Sequence, residues 1–194
     1  MTMAHSRVNA YVALVHHPVY DKNHKVVATS VTNLDIHDIA RACRTYGIRG
    51  YYLVHPVSAQ RELTRRIVGH WQTSEGMAQN ESRSEALSLV RVSDSIEEVI
   101  RNIQDEHHAA PFVVATSARP RIKTITTTEL ISREELKTRP LLLLFGTGWG
   151  LVDEWLERAD GLLAPIVGSS DYNHLAVRTA VGIILDRLLA GARD

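Results

Sequence analysis

The sequence predicts an α/β fold, a mostly parallel sheet with helices on both faces. Short apolar runs rich in β-branched residues, typical of buried strands, alternate along its 194 residues with segments in which apolar residues recur at helical spacing. The run at residues 141–145, "LLLLF", contains no polar residue, as expected of a strand that is covered on both faces. Regular alternation of this kind is typical of βαβ units, whose strands lie parallel.

The predicted strands are short, apolar and bounded by turn-forming residues. In chain order they are residues 8–20, 50–57, 86–93, 111–118, 141–145 and 161–167. The predicted helices are amphipathic and lie at residues 33–47, 59–71, 96–108, 151–158 and 174–191. Gly47 is expected to stop the first helix, and Ser93 or Ser95 to cap the third, whose first turn carries the acidic residues that the helix dipole prefers.

Two stretches interrupt this alternation. Residues 72–85 are polar and lack periodicity, so they predict a mobile loop. Residues 119–140 are basic at both ends and threonine-rich in the middle, which predicts a surface excursion with one short helix. Because the sequence shows no repeat and no second apolar core, residues 1–194 are expected to form a single domain.

Composition excludes several classes of site. The formal net charge is zero, so any attraction to nucleic acid has to come from a local basic patch. The single cysteine, Cys43, excludes an intrachain disulfide and a thiolate metal cluster. The ten histidines show no i, i+4 pair with a carboxylate partner, so a metal site is not expected. The N-terminus has no leader and the sequence no apolar run of about 18 residues, which favours a cytoplasmic location.

Three polar loops follow predicted strands in the C-terminal half: "TSARP" (116–120), "GTGWGL" (146–151) and "GSSDYNH" (168–174). In parallel sheets, ligands bind outside the carboxyl ends of the strands. The Gly, Ser, Thr and Asn of these loops let the backbone approach a ligand and offer hydrogen bonds to it. Neither a P-loop lysine nor the G-x-G-x-x-G spacing is present. The loops therefore predict a neutral pocket for an adenosine-type ligand with little phosphate charge.

The motifs "TSARP", "LLLFGTGWGL" and "PIVGSSDYNHLAVRTAVGIILDRLL" resemble the three C-terminal motifs of SPOUT-superfamily RNA methyltransferases. The stretch "VALVHHPVYDKNHKVVATSVTNLDIHDIARACRTYGIRGYYLV" is also similar to a small bacterial family of this superfamily, so the resemblance spans nearly the whole chain. It implies a SPOUT-type fold with a C-terminal trefoil knot, the knot and cofactor loops lying at about residues 111–191. It further implies S-adenosylmethionine bound in a bent shape among the three loops, and a homodimer with the site near the interface.

The resemblance also implies the residues that contact the cofactor. They are Thr116, Ser117, Phe145, Gly146, Thr147, Gly148, Trp149, Gly150, Ile166, Gly168, Ser170, Asn173, His174 and Leu175. Trp149 would form a wall of the pocket, meet the target nucleotide, or pack the turn against helix 151–158. Because the turn is expected at the surface, Gly148→Val is expected to obstruct the pocket with little effect on the fold.

The segment "NLDIHDIARACRTYG" lines up with the first motif of the ribose-methylating branch, where an Asn and an Arg serve the reaction. The matching residues are Asn33 and Arg41, and Arg41 would grip the target phosphate or lower the pKa of the nucleophile; the alternative is a surface arginine. His37 and Asp38 are candidates for the general base. The glutamate of that branch's second motif is absent, which leaves both a ribose and a base open as the target.

Two functions follow from these motifs. The first is an enzyme, an S-adenosylmethionine-dependent methyltransferase acting on a base or ribose of tRNA or rRNA; the alternative is a catalytically silent SPOUT-fold module that binds RNA or protein. RNA would be held by a basic strip, against the alternative of scattered solvated charge, and its candidates are Arg44, Arg119, Arg121 and Lys123. Apolar residues cover most of the circumference of helix 174–191, which predicts a homodimer through this helix.

Overall fold

The computed structural model describes residues 9–190, so residue 8 of the first predicted strand and residue 191 of the last predicted helix lie outside the described residues. Within that range the main sheet consists of β1 (Ala10–Val15), β4 (Gly50–Val54), β5 (Val90–Ser93), β6 (Phe112–Thr116), β7 (Leu141–Gly146) and β8 (Gly161–Leu163). The strand order is β5-β4-β1-β7-β6-β8, and every neighbouring pair is parallel. A separate antiparallel hairpin pairs β2 (Val19–Tyr20) with β3 (Val26–Val27).

The helices connect the strands as the alternation predicts. They are α1 (Asn33–Thr45), α2 (Ser58–Trp71), α3 (Ser74–Gln79), α4 (Glu81–Leu87), α5 (Ile96–His107), α6 (Thr127–Ile131), α7 (Asp153–Arg158) and α8 (Val177–Leu189), with a 3₁₀ turn at Glu134–Lys137. The predicted α/β fold with a mostly parallel sheet is therefore confirmed. The trefoil knot stays a prediction, because strand order describes neighbours in a sheet and not the path of the loops.

Both faces of the sheet are covered. Along β1, Val12 and Leu14 belong to the apolar cluster that includes buried residues of α1, α4 and α8, whereas Tyr11 and Ala13 belong to the cluster that includes those of α5 and α7. Every residue of β1 is buried, as the apolar run of a doubly covered strand predicts. Val15 is in register with Val54 of β4 and Gly146 of β7, so the carboxyl ends of three central strands lie level.

Local signals mark the helix ends where the sequence predicts them. Thr32 caps α1 by accepting a hydrogen bond from the Asp35 N–H, and Ser95 caps α5 by accepting one from the Glu98 N–H. Gly47 follows α1 with a φ of +70°, a conformation that glycine adopts without strain. These contacts confirm the predicted stop and one of the two serine caps.

The mobile loop predicted for residues 72–85 is wrong. Two short helices, α3 and α4, occupy most of it, and the predicted strand at 86–93 begins only at Val90. Thr73 and Asn80 cap the two helices with their side chains, while Leu87 lies fully buried in the main core cluster. Helices of six or seven residues contain too few turns to show a periodic apolar stripe, so tertiary packing decides their formation.

We expect Leu87→Ala to lower the free energy of unfolding by about 2–5 kcal/mol, because it leaves a cavity where a fully buried side chain packs. Denaturant unfolding followed by circular dichroism measures the change. Met77→Ala on the neighbouring helix is the control, since that side chain is 46% exposed and should cost far less. Equal stabilities for the wild type and Leu87→Ala would contradict the packing of α4.

The excursion predicted at residues 119–140 contains more order than one short helix. A capping box formed by Thr126 and Glu129 starts α6, and Leu130 of that helix is fully buried. Ile125 donates from its N–H to the Leu162 carbonyl and accepts from the Ala164 N–H. The segment therefore packs against the edge strand β8. This strand ends at Leu163, whereas the sequence predicts that it extends to residue 167.

Candidate functional site

A cavity of about 820 Å³ opens at the carboxyl ends of β1, β6, β7 and β8. The chain runs outward from β1 to β4 and β5 on one side, and its later strands β6, β7 and β8 lie on the other. The cavity thus lies at the point where the strand order reverses, the usual ligand position in such sheets. Its size is that of a small-molecule site.

The three predicted loops meet at this cavity. Of the predicted cofactor residues, the lining contains Thr116, Ser117, Phe145, Gly146, Thr147, Gly148, Trp149, Gly150, Ile166, Asn173, His174 and Leu175. The structure places Gly168 and Ser170 outside the lining. A hydrogen bond from Asn173 Nδ2 to the Ala118 carbonyl oxygen, 2.5 Å long, ties the third loop to the first. The cofactor role of these residues stays a prediction.

The glycine-rich turn after β7 has no space for side chains at its key positions. Gly148 has a φ of +58°, and a β-carbon there would lie 3.0 Å from the Tyr20 carbonyl oxygen. The turn is held by the β2–β3 hairpin, because the Trp149 N–H donates to that same carbonyl and the Tyr20 N–H donates to Gly150. Gly148→Val therefore strains the turn itself, which corrects the expectation that it spares the fold.

Trp149 lines the cavity with an indole that is 51% exposed. Its ring meets His174 of the third loop in an edge-on contact, with 6.4 Å between the ring centroids. This position favours a wall of the pocket, or a contact with an incoming nucleotide, over packing against α7.

A chain of hydrogen bonds runs along the wall of the cavity beside β1. Thr147 Oγ1 donates to the Val15 carbonyl oxygen at 3.0 Å, so it accepts from the hydroxyl of Thr29. Because the Thr29 proton is used in this way, Thr29 Oγ1 accepts from His16 Nδ1, which lies 2.9 Å away. Neutral His16 is thereby the Nδ1–H tautomer, and its Nε2 has no hydrogen-bond partner among residues 9–190.

Burial, and to a smaller extent the neighbouring His55, lower the pKa of His16 to about 4. The unfolded chain therefore binds more protons than the folded one between about pH 6.5 and pH 4, and stability is lost as the pH falls through that window. We expect His16 to account for about 3 kcal/mol of this loss. Urea unfolding from pH 7.5 to 4 should show a flatter pH profile for His16→Asn, but not for His24→Asn, whose side chain is exposed.

Sequence reasoning missed two charged residues of this cavity, Asp35 and Arg178. Asp35 is 6% exposed and accepts a hydrogen bond of 2.6 Å from the Thr32 hydroxyl. Arg178, in the first turn of α8, lies 3.4 Å from Asp35 Oδ1 and 3.5 Å from Asp38 Oδ2. No local pattern indicates this bridge, since an arginine at the start of a helix is ordinarily solvated.

The predicted catalytic residues lie together but outside the cavity. Asn33, His37, Asp38 and Arg41 line a second depression, of about 740 Å³, between α1 and α2. Asp38 reaches towards the cavity only through Arg178. Burial, followed by the positive charge of Arg83, lowers the pKa of His37, so this imidazole is neutral at pH 7 and able to accept a proton.

The predicted basic strip is divided. Arg119 lines the cavity, and its guanidinium lies 3.1 Å from His24 Nε2. Arg44 pairs with Glu85 of α4, and Arg121 pairs with Asp153 at 2.7 Å. Lys123 lies on the same loop as Arg119 and Arg121. Three of the four residues therefore share one loop, while Arg44 lies apart on α1.

Two further findings concern residues 9–190. In that range no three His, Cys, Asp or Glu side chains come together in a way that could hold a metal ion. None of the helices described there has both the length and the apolar character needed to cross a membrane.

Comparison with known proteins links the fold to one family. Residues 9–190 match the model of a family described as SAM-dependent RNA methyltransferase. A tRNA (guanine-N(1)-)-methyltransferase of Oleidesulfovibrio alaskensis is 47% identical over 184 residues, which are 95% of this chain and 43% of that protein. The chain thus spans less than half the length of that relative. An uncharacterized protein of Aquifex aeolicus is 41% identical over 185 residues, 95% of this chain and 90% of its own length.

A solved structure shows the same fold. The TrmH/SpoU tRNA modifying enzyme of A. aeolicus superposes with a TM-score of 0.57 at 17% identity. The match covers 95% of this chain and 75% of that one.

Proposed function

The chain belongs to the family of SAM-dependent RNA methyltransferases, and from this premise we propose that its cavity binds S-adenosylmethionine and that the protein methylates a tRNA or rRNA nucleotide. The observation that carries the proposal is the convergence of three Gly-, Ser- and Thr-rich loops on one cavity at the reversal point of the sheet. Among residues 9–190, no lysine lines this cavity, which suits a cofactor without a triphosphate. The proposal includes a cytoplasmic location.

The residues present fit this cofactor. In the turn at Gly146–Gly150, no neighbouring atom of residues 9–190 lies within 4 Å of the place that a β-carbon of Gly150 would take, so the backbone there can lie against an adenosine. The hydroxyl groups of Thr116 and Ser117 and the amide of Asn173 line the cavity and could make polar contacts with the cofactor. The buried carboxylate of Asp35 also lines it, paired with Arg178.

The chain's own groups would mainly align the reactants, because methyl transfer from a sulfonium is an in-line displacement. The bound cofactor supplies the methyl group, whose carbon–sulfur bond breaks as the RNA nucleophile forms its bond to that carbon. Arg41 would hold the target phosphate, and neutral His37 would accept the proton that the nucleophile loses. Asp38 is the weaker candidate for the base because Arg178 already neutralises it.

We propose a tRNA base as the first target to test, with a ribose hydroxyl as the second. Two relatives, 47% and 44% identical to this chain, are named as tRNA (guanine-N(1)-)-methyltransferases, although the chain covers only 43% and 42% of their lengths. The ribose-methylating branch has a glutamate in its second motif, whereas this chain has Thr147 and Trp149 in that turn. This difference also favours a base as the target.

We also propose that the protein is a homodimer through α8. Val181, Ile184, Leu185 and Leu188 of this helix are buried by the protein's own core, while Ile183 and Gly182 stay partly exposed on its outer side. A second copy would cover that outer side. Light scattering at micromolar concentration should give twice the chain mass, and the monomer mass would contradict the dimer.

The proposed function is tested by two measurements on the wild-type protein. Calorimetry should show binding of S-adenosylmethionine and S-adenosylhomocysteine, and transfer of a labelled methyl group should be seen with total RNA from a strain that lacks the gene. Mass spectrometry of the nucleosides then distinguishes 1-methylguanosine from a 2′-O-methylated product. No binding at millimolar cofactor would support the alternative, a catalytically silent module that binds RNA or protein.

A further inference from the structure

The second depression contains residues that the proposed chemistry does not use. Besides the predicted catalytic residues of α1, it is lined by Arg66, His70 and Trp71 of α2 and by Arg83 of α4. Resting on the proposed function, we propose that Arg83 and Trp71 form a phosphate-binding subsite for RNA, which holds a backbone phosphate next to the target nucleotide.

The charge of the depression suits a polyanion. Three arginines line it, against the single carboxylate of Asp38, which is occupied by Arg178. Arg66 is paired with Glu62 at 3.2 Å. In contrast, neither Arg41 nor Arg83 has a carboxylate within 4.0 Å in the described part of the chain. Two positive charges are therefore left for a ligand that brings its own negative charge.

Trp71 holds the guanidinium of Arg83 in one orientation. The guanidinium carbon lies 4.9 Å from the centroid of the indole, a cation–π contact. The imidazole rings of His37 and His70 also contact this indole edge-on, and their centroids lie 5.7 and 5.4 Å from the indole centroid. Because the planar guanidinium of Arg83 is already stacked on Trp71, less side-chain freedom is lost when its N–H groups bind a phosphate.

Two polar atoms of this group lack partners. His37 Nδ1 and Arg83 Nε are buried without a hydrogen bond to any residue from 9 to 190. Because both atoms are closed to solvent, a phosphate would bind the two Nη groups of Arg83, which make no hydrogen bond to residues 9–190.

RNA is the occupant that these features favour. The depression contains Asn33, His37 and Arg41, which belong to the proposed catalytic group, so a phosphate held here would belong to the strand that carries the target. Guanidinium groups recognise phosphates with paired hydrogen bonds, and such contacts position RNA without reading its sequence.

The test is Arg83→Gln, measured by fluorescence anisotropy with bulk bacterial tRNA over a series of salt concentrations. We expect the affinity to fall about tenfold, because a charge-assisted hydrogen bond is lost. The slope of log affinity against log salt should decrease by about 0.7–0.9, the value of one lost phosphate contact. Arg101→Gln is the matched control, since Arg101 is exposed on α5, a helix of the opposite face. It should change neither quantity.

A charge-conserving variant separates a phosphate contact from a structural role. Arg83→Lys keeps the positive charge but loses the planar guanidinium that stacks on Trp71. Compared with Arg83→Gln, it should restore the wild-type salt slope but recover only part of the affinity for tRNA. Thermal unfolding of each variant checks that the fold is retained.

Wild-type affinity and salt slope in a folded Arg83→Gln protein would overturn the subsite. So would a changed oligomeric mass with unchanged tRNA affinity, because the depression would then lie between copies of the chain. The proposed function fails separately: a wild-type protein that neither binds S-adenosylmethionine nor transfers methyl groups would refute it, even where Arg83→Gln weakens tRNA binding as expected.

Discussion

Gly148→Val should weaken S-adenosylmethionine binding by about a hundredfold, which corresponds to about 3 kcal/mol for overpacking a tight turn. The backbone at Gly148 has a φ of +58°, where a β-branched side chain is strained. Its β-carbon would also lie 3.0 Å from the Tyr20 carbonyl oxygen and 3.2 Å from Thr29 Cγ2. The turn must shift to relieve these contacts, and that turn lines the proposed cofactor cavity. Calorimetry with the cofactor measures the loss.

Gly47→Val is the matched control for backbone strain. Gly47 has a φ of +70°, and no atom of residues 9–190 lies within 4 Å of the position of its β-carbon. Both variants should unfold at a lower temperature, whereas only Gly148→Val should lose cofactor affinity. If Gly148→Val binds the cofactor as tightly as Gly47→Val does, the cofactor lies elsewhere.

Arg41→Ala should lower the rate of methyl transfer by roughly a hundredfold, since one positioned charged contact contributes about 3 kcal/mol to a transition state. Cofactor binding should stay at the wild-type level, because Arg41 lines the second depression and not the cofactor cavity. Calorimetry and single-turnover transfer to total RNA from a gene-deleted strain measure the two quantities separately. Arg101→Ala removes an exposed charge from the opposite face and should change neither.

Other outcomes of that experiment assign other roles. Unchanged transfer would exclude Arg41 from the reaction and direct attention to Arg178, a guanidinium that does line the cavity. A parallel loss of cofactor binding would instead make Arg41 a structural support of the pocket. Binding retained with transfer lost is the result that supports the proposed role.

Much of the cavity could be predicted because its chemistry is local. Parallel strands place their carboxyl ends at one edge of a sheet, so Gly-, Ser- and Thr-rich segments that follow successive strands have to meet there. The loops that contain Ser117, Gly148 and Asn173 do so. The helices at residues 74–87 could not be predicted in this way, because Leu87 stabilises them through a core that other parts of the chain complete.

The sequence by itself determined the α/β class, the buried central strands, the Gly47 stop, the Ser95 cap and the loops that line the cavity, since each depends on periodicity or on residues a few positions apart. Only the tertiary structure decided which charged groups share a site. Arg178 and Asp35 are 143 positions apart and meet because α8 packs against α1, while Arg41 is directed to the depression beside Trp71. Electrostatic contacts depend on distance in space, and the packing of helices on the sheet sets that distance.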